Sequence, residues 1–166
     1  MKEELKLILA TEKDAPLIHQ LKKEAFMPLY NKYHDDETSP VTEKIERDIW
    51  RIQRAGSDYY IIQLNGENIG GVRVADCVGN REFEEGVFYI SPLFILPKFQ
   101  NRGLGFAVIQ KVFEMYSHAK KWRLDTILQE KANCHLYEKC GFLRVGEEKV
   151  VNEFMTLIDY EKIVEE

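Results

Sequence analysis

A glycine-containing turn, residues 97–106, is the part of the sequence whose residue types best suit ligand chemistry. It reads PKFQNRGLGF and lies between a predicted strand and a predicted helix. The first backbone N–H groups of a helix have no internal partners, and the helix dipole attracts negative charge there. Gly103 and Gly105 leave room for a phosphate, while Gln100 and Arg102 can add donors. The spacing alone supports a phosphate site and a simple tight turn equally.

Two common phosphate-binding motifs do not fit this turn. A P-loop requires a Lys-Ser or Lys-Thr pair after the second glycine, and none follows here. A dinucleotide fingerprint requires a third glycine or alanine at the position that Val108 occupies. Asp125 lies at the distance expected for a ribose-binding acid. The rest of the chain is nevertheless too short and too rich in predicted strands for a second nucleotide-binding unit.

A second segment, residues 133–142, makes the turn more informative. It reads NCHLYEKCGF and carries Asn133 and Tyr137 ahead of a Gly-Phe pair. The two segments together resemble the GNAT acetyltransferase superfamily, whose acyl-CoA pyrophosphate motif is Q/R-x-x-G-x-G/A. In that family a strand end similar to Ile95-Leu96-Pro97 precedes the motif, and an Asn…Tyr…Gly-Phe segment follows it. The close resemblance covers residues 87–143.

The resemblance implies that acetyl-CoA is the co-substrate and that no metal is needed. The pyrophosphate would bind the amides of 102–106, and the pantetheine arm would pair with the strand before the turn, where Ser91-Pro92 predicts a bulge. A backbone N–H in that strand would polarise the thioester carbonyl. The implied cofactor-binding residues are Leu93, Phe94, Ile95, Gln100, Asn101, Arg102, Gly103, Leu104, Gly105, Phe106, Asn133 and Tyr137.

Tyr137 matches the general acid of the family, which protonates the departing CoA thiolate. A phenol with a pKa near 10 keeps its proton at neutral pH and suits this role. From its own spacing Tyr137 is a packing residue on an amphipathic helix, and the acid role comes from the resemblance. Similarly, Asn133 is either a ligand of the pantetheine arm or a helix cap.

The resemblance implies an N-acetyltransferase that moves the acetyl group from acetyl-CoA to a primary amine by direct attack in a ternary complex. A small-molecule amine is the expected acceptor, and a protein N-terminus or lysine is the alternative. A non-catalytic acyl-CoA-binding module is an alternative of another class. No general base is assigned, since Tyr89, Ser91, Glu84 and Glu85 are all imperfect candidates.

The acidic segment 27–40 raises a separate hypothesis about the acceptor. It holds Tyr30 and Tyr33 beside Asp35 and Asp36, and carboxylates with aromatic rings can attract a protonated amine. A solvated acidic loop is the other interpretation of the same residues.

The periodicity of apolar residues supplies the elements that position these groups. It predicts strands over 5–10, 59–64, 69–77, 87–96, 124–128, 142–151 and 154–158, with helices over 12–25, 41–55, 103–120 and 133–140. The order is β-α-α-β-β-β-α-β-α-β-β. Together with this order, the resemblance implies that residues 1–166 form a single α/β (α+β) domain of the GNAT type. Its sheet would be mixed, mostly antiparallel and six- to seven-stranded, with helices on both faces.

Composition limits the class of partner. The 166 residues carry a net charge of −5 with both signs interspersed, which argues against nucleic acid or an anionic membrane as partner. Three cysteines without metal-ligand spacing predict neither a disulfide framework nor a zinc site. The N-terminus lacks the apolar core of a signal peptide, so we expect a cytoplasmic protein, as a monomer or homodimer.

Overall fold

Within residues 3–165, which the computed structural model describes, seven strands and four α-helices follow one another in the predicted order. The strands are β1 (Leu5–Leu9), β2 (Ser57–Leu64), β3 (Glu67–Ala75), β4 (Val87–Ile95), β5 (Lys121–Ile127), β6 (Leu143–Val150) and β7 (Thr156–Ile163). The helices are α1 (Ala15–Tyr33), α2 (Ile45–Gln53), α3 (Leu104–Met115) and α4 (Lys131–Lys139). A short 3₁₀ turn precedes each of α1, α2 and α3.

The strands form one sheet in the order β1-β2-β3-β4-β5-β7-β6. Strands β4 and β5 are parallel, and every other neighbouring pair is antiparallel. A parallel pair needs a crossover connection, and α3 supplies it between β4 and β5. The predicted mixed, mostly antiparallel sheet is confirmed, with seven strands.

Strands β4 and β5 separate after only three residue pairs. Residues 87–89 pair with residues 121–123, and β5 then continues along β7 while β4 continues along β3. The edge of β4 from Ile90 to Ile95 therefore faces a gap instead of a partner strand. We call this space, bordered by 90–95 of β4 and 124–127 of β5, the strand gap.

A bulge in β4 lies where the two strands separate. The pairing of β3 with β4 skips two residues of β4, so that Arg73 alone lies opposite Ser91 and Pro92. This pairing confirms the bulge predicted at the proline. Its physical reason is that proline has no N–H to donate to a ladder. Beyond the bulge the strands come close: a Cβ on Gly70 would lie 2.0 Å from the carbonyl oxygen of Phe94.

Helices cover both faces of the sheet, as predicted. On one face α1 packs on β3 and β4, where the rings of Phe26 and Phe94 lie 5.8 Å apart. On the other face α3 packs through Phe113, whose ring lies 5.3 Å from that of the fully buried Trp122 in β5. Burial of large apolar side chains on both faces is the main stabilising contribution and places the strand gap between two packed layers.

The prediction of a loop over 27–40 is wrong for the first half of that segment. Helix α1 continues through Pro28 to Tyr33, although a proline inside a helix removes one hydrogen bond and costs about 3 kcal/mol. Contacts distant in sequence offset this cost. Tyr33 is buried, its hydroxyl donates to Glu130, and its carbonyl accepts from the Asn152 side chain at 2.9 Å.

Other element ends differ by a few residues. Helix α3 ends at Met115 instead of near 120, and α4 begins at Lys131 instead of 133. Strand β7 extends to Ile163, because pairing with β5 continues as far as Lys121. No helix within residues 3–165 has both the length and the apolar character needed to cross a bilayer.

Candidate active site

The N-terminus of α3 presents a run of unpaired backbone N–H groups. Among the described residues, the amides of 102–106 have no backbone acceptor, and the first helical hydrogen bond runs from Ala107 N to Gly103 O at 3.2 Å. Asn101 and Gly103 adopt left-handed φ angles of 62° and 76°, which turns the chain sharply into the helix. Successive free amides at a helix start suit an anion such as a pyrophosphate.

The two glycines of the turn have different structural reasons. Gly103 needs its positive φ, and a Cβ there would meet nothing within 4 Å, so its surface is open to a ligand. A Cβ on Gly105 would instead lie 3.0 Å from a methyl group of Leu136 in α4. Gly105 therefore allows α3 and α4 to pack closely, and only Gly103 fits the expectation of a glycine facing open space.

The polar side chains of the turn have protein partners in this structure. Gln100 donates from Nε2 to the carbonyl of Ile95 at 2.8 Å, which fastens the turn to the end of β4. Arg102 donates to Glu3 at 2.6 Å in a largely exposed ion pair. Exposed pairs of this kind contribute about 0–1 kcal/mol, so Arg102 can exchange Glu3 for a bound anion.

The predicted pantetheine-binding residues lie on the strand gap. Phe94 is buried, while Leu93 and Ile95 are half-buried. On their other edge these residues pair with Gly70, Gly71 and their neighbours in β3, and beyond them the amide of Leu96 donates to β3. The Ile95 carbonyl already accepts from Gln100, and the rest of the backbone edge that faces the gap is free to pair with an extended ligand, as an edge strand does.

Tyr137 lies on α4 with its ring buried against Phe142 and Tyr160, each at a centroid distance of 6.1 Å. Its hydroxyl makes no side-chain hydrogen bond with the residues that the structure describes. Burial, followed by the negative charge of Asp125, raises the pKa of the Tyr137 phenol above its ordinary value. The phenol therefore keeps its proton at neutral pH and can act as an acid.

Asn133 occupies the first turn of the same helix. It is half-buried, whereas the residue at the N-cap of α4 is Glu130. The alternative interpretation of Asn133 as a helix cap is therefore wrong. Its side chain makes no hydrogen bond within residues 3–165, which leaves the amide available to a ligand.

Asp125 borders the strand gap from β5, and the sequence-based search for a base did not consider it. It alternates with the buried Leu124 and Thr126, so it points to the sheet face opposite α3. Asp159 of β7 lies directly across from it. Loss of hydration, followed by the charge of Asp159, raises the pKa of the Asp125 carboxyl. The sequence signal that could have identified Asp125 is a carboxylate that alternates with apolar residues in a strand.

Asp159 completes this pair of carboxylates. Its Oδ2 accepts from Lys149 at 3.0 Å and lies 3.2 Å from Arg81, while its Oδ1 is buried and has no hydrogen-bond partner among the described residues. The two carboxylates repel, and the positive charges of Lys149 and Arg81 offset part of that repulsion.

Comparison with known proteins decides the family. The model of the acetyltransferase (GNAT) family matches residues 18–142. The chain belongs to the GNAT acetyltransferase family. An uncharacterized N-acetyltransferase of Methanocaldococcus jannaschii is 28% identical over 114 residues, which are 66% of this chain and 48% of the relative. The chain thus spans about half the length of the curated relatives that it matches.

Solved structures share the fold of this GNAT family member. The PaiA N-acetyltransferase of Thermoplasma acidophilum, in complex with coenzyme A, has a TM-score of 0.75 at 13% identity over 99% of this chain and 100% of that chain. The spermidine N-acetyltransferase of Vibrio cholerae, in complex with CoA and spermine, has a TM-score of 0.72 at 19% identity over 96% and 95% of the two chains.

Two of the residues weighed as bases, Tyr89 and Glu84, contact Arg123 in this GNAT fold. The Tyr89 hydroxyl accepts from Arg123 at 3.2 Å, and Glu84 lies 3.5 Å from the same guanidinium. In the acidic segment, Asp35 is buried and accepts from Thr38 at 2.9 Å, and Asp36 accepts from the Tyr30 hydroxyl. The contacts of Asp35 and Asp36 hold the local structure of this segment.

All three cysteines are free thiols. Cys134 and Cys140 are buried, and burial raises the pKa of the Cys140 thiol, which makes it a poor nucleophile. Within residues 3–165, no group of three or more His, Cys, Asp or Glu side chains is arranged to hold a metal ion.

Proposed function

We propose that the protein transfers an acetyl group from acetyl-CoA to a primary amine of a small molecule, by direct attack in a ternary complex. The observation that carries the proposal is the strand gap, with the free amides of 102–106 at the start of α3 and the buried phenol of Tyr137 on α4. Membership of the GNAT family and the CoA-bound neighbours support it.

The cofactor would extend along the gap. The pyrophosphate would accept hydrogen bonds from the amides of 102–106, with Gln100 and Arg102 at its edge and Asn101 shaping the turn. The pantetheine arm would pair with the free backbone of 93–95 and contact the amide of Asn133. These groups need little rearrangement, and pre-formed sites lose less affinity to ordering.

The chemistry needs one proton acceptor and one proton donor. The neutral amine attacks the thioester carbonyl carbon, the carbonyl oxygen gains negative charge, and a backbone N–H of β4 stabilises that charge. Collapse of the intermediate breaks the C–S bond, and Tyr137 donates its proton to the departing thiolate. The amine's extra proton leaves to a base.

Asp125 is the side chain that we propose as this base. It borders the part of β5 that has left β4, and its raised pKa makes it a better proton acceptor than an ordinary aspartate. The exposed Asp125 carboxylate can also attract a protonated amine, while Lys149 and Arg81 offset the charge of Asp159. The spermine-bound relative is a solved example of this fold with a polyamine, which supports a small amine as acceptor.

An acceptor screen tests the proposal directly. The purified protein is incubated with acetyl-CoA and a panel of polyamines, aminoglycosides, amino acids and peptide amines, while free thiol release and acetylated product are measured together. Release matched by acetylation of small amines supports the proposal. Acetylation of peptides alone would move the acceptor class to protein amines. Binding of CoA without any product would support a non-catalytic module.

A further inference from the structure

Arg73 in β3 is a buried arginine that the mechanism above does not use. It is 4% exposed, and among the described residues no carboxylate lies within 4 Å of its guanidinium. Burial and the nearby charge of Arg51 lower its pKa to about 10, so it still carries a positive charge at neutral pH. Burying a charge without a partner of opposite sign costs free energy, so the hydrogen bonds that Arg73 makes must offset that cost.

The contacts of Arg73 connect β4 to the start of β2. Its Nε donates to the carbonyl of Ser91 at 2.6 Å, and its Nη1 donates to Ser57 Oγ at 3.2 Å. Ser57 in turn donates from Oγ to the carbonyl of Arg51 at 2.6 Å. The planar guanidinium therefore bridges two strands with directed hydrogen bonds, which a flexible ammonium group reproduces poorly.

The position of this bridge is specific. Arg73 alone opposes the two bulge residues, Ser91 and Pro92, and the last pair between β4 and β5 ends two residues earlier at Tyr89. The bulge has no ladder partner there, and Pro92 has no N–H to contribute. The hydrogen bond from Arg73 supplies the partner that the Ser91 carbonyl would otherwise lack.

We propose that Arg73 is a positioning residue for the acetyl-CoA site, because its hydrogen bond to Ser91 holds β4 in the bulged path that keeps residues 93–95 apart from β5. The inference rests on the proposed function. Without this bridge the bulge at Ser91 and Pro92 is held to β3 only by the ladder pairs on either side of it, and CoA binding must then order it. That ordering lowers affinity without removing any residue that touches the cofactor.

The test compares Arg73→Met and Arg73→Lys with the matched control Arg54→Met. Arg54 is also a largely buried arginine that donates to a carbonyl, that of Cys77 at 2.7 Å, but it is paired with Asp76 at 2.9 Å and none of its hydrogen bonds reaches β4. Calorimetry gives the Kd for CoA, steady-state kinetics give the KM for acetyl-CoA and for the amine, and thermal unfolding gives the Tm. All binding is measured well below the lowest Tm.

We expect Arg73→Met to raise the Kd for CoA and the KM for acetyl-CoA roughly tenfold or more, with the KM for the amine nearly unchanged. Arg73→Lys should fall between Met and the parent, and Arg54→Met should bind CoA normally even if its Tm falls. A folded Arg73→Met that binds CoA like the parent overturns the proposal.

Two further outcomes are decisive. If Arg73→Met does not fold, Arg73→Lys carries the test, and an unchanged Kd for CoA in that variant overturns the inference. If the parent itself binds no CoA, the proposed function fails first. A parent that binds CoA beside an Arg73 variant that binds equally well refutes only the role of Arg73.

Discussion

At the scale of single residues, Tyr137 and Asp125 are the acid and the base that we propose for the strand gap. Burial keeps the phenol protonated, while desolvation and the charge of Asp159 raise the pKa of the Asp125 carboxyl, although its side chain is exposed. Each charge influences the other, because the Asp125 carboxylate disfavours a second negative charge on Tyr137. Environments that separate an acid from a base in this way are common in active sites.

Tyr137→Phe tests the acid. We expect kcat to fall roughly 10²- to 10⁴-fold while the Kd for acetyl-CoA stays within about twofold, because only proton donation to the thiolate is lost. Pre-steady-state thiol release measures the step, and Tyr30→Phe is the control for a phenol hydrogen-bonded elsewhere. Unchanged turnover where chemistry limits the rate would make Tyr137 a packing residue.

Asp125→Asn tests the base and makes a second, thermodynamic prediction. We expect kcat/KM for the amine to fall roughly 100-fold. The Tm at neutral pH should not fall, since a carboxyl whose folded pKa is raised destabilises the folded state once pH exceeds that pKa. In Asp159→Asn the Asp125 pKa should fall, moving the acid limb of the kcat/KM profile to lower pH. A profile identical to that of the parent would contradict the role of Asp125.

At the scale of elements, the start of α3 presents the free amides, and an ion cluster fixes α2 against α1. The left-handed turn through Asn101 and Gly103 sets the direction in which the free amides of α3 point. On the other face, a buried ion cluster ties α2 and its preceding turn to α1. The Lys22 ammonium lies 2.7 Å from Asp48 and 3.0 Å from Glu43, which also accepts from Arg51.

Gly103→Asp, compared with Gly103→Asn, tests the start of α3. Both side chains tolerate the left-handed conformation and enter the same open space, so the pair differs mainly by one negative charge. We expect the Asp variant to weaken CoA binding at least tenfold more than the Asn variant, with similar Tm values. The difference should shrink at high salt. Equal affinities measured by calorimetry would place the phosphate elsewhere.

Glu43→Gln tests the link to α2 through pH. Partial burial alone would raise the Glu43 pKa, but hydrogen bonds and charge from Arg51 and Lys22 lower it to about 2. A lowered carboxyl pKa stabilises the fold above the unfolded value, and this stabilisation is lost as pH falls from about 5 to 2. At pH 7 the variant should lose at most about 3 kcal/mol.

Urea unfolding at pH 7 and pH 3 measures this contribution. The difference between Glu43→Gln and the parent should be smaller at pH 3, and the exposed control Glu24→Gln should show little difference at either pH. A pH-independent difference would assign the effect to packing and not to charge.

At the scale of the whole molecule, ligand binding and folding are linked. The strand gap exists only when both layers are packed, so CoA should bind the native state alone. At 100 times its Kd it should then add about 2.7 kcal/mol to the free energy of unfolding. Thermal or urea unfolding with and without CoA measures this, and NAD and ATP serve as controls. No shift with CoA would end the acyltransferase proposal.

The sequence determined the order of elements, the bulge at Pro92 and the glycine turn at the start of α3, because each depends on local chemistry. Apolar periodicity distinguishes helix from strand, proline cannot donate to a ladder, and a glycine permits positive φ at a helix start. The role of Tyr137 as an acid came from the resemblance, because its own spacing indicated only a packing residue.

The tertiary structure decided the rest, because it depends on residues that are distant in sequence. Helix α1 continues past Pro28 since Glu130 and Asn152 hold Tyr33, and β7 is long since β5 lies beside it. Asp125 became a candidate base only when Asp159 lay across from it. In the sequence, Arg73 is an ordinary strand arginine. Only the structure shows that it lies opposite the bulge and donates to the carbonyl of Ser91.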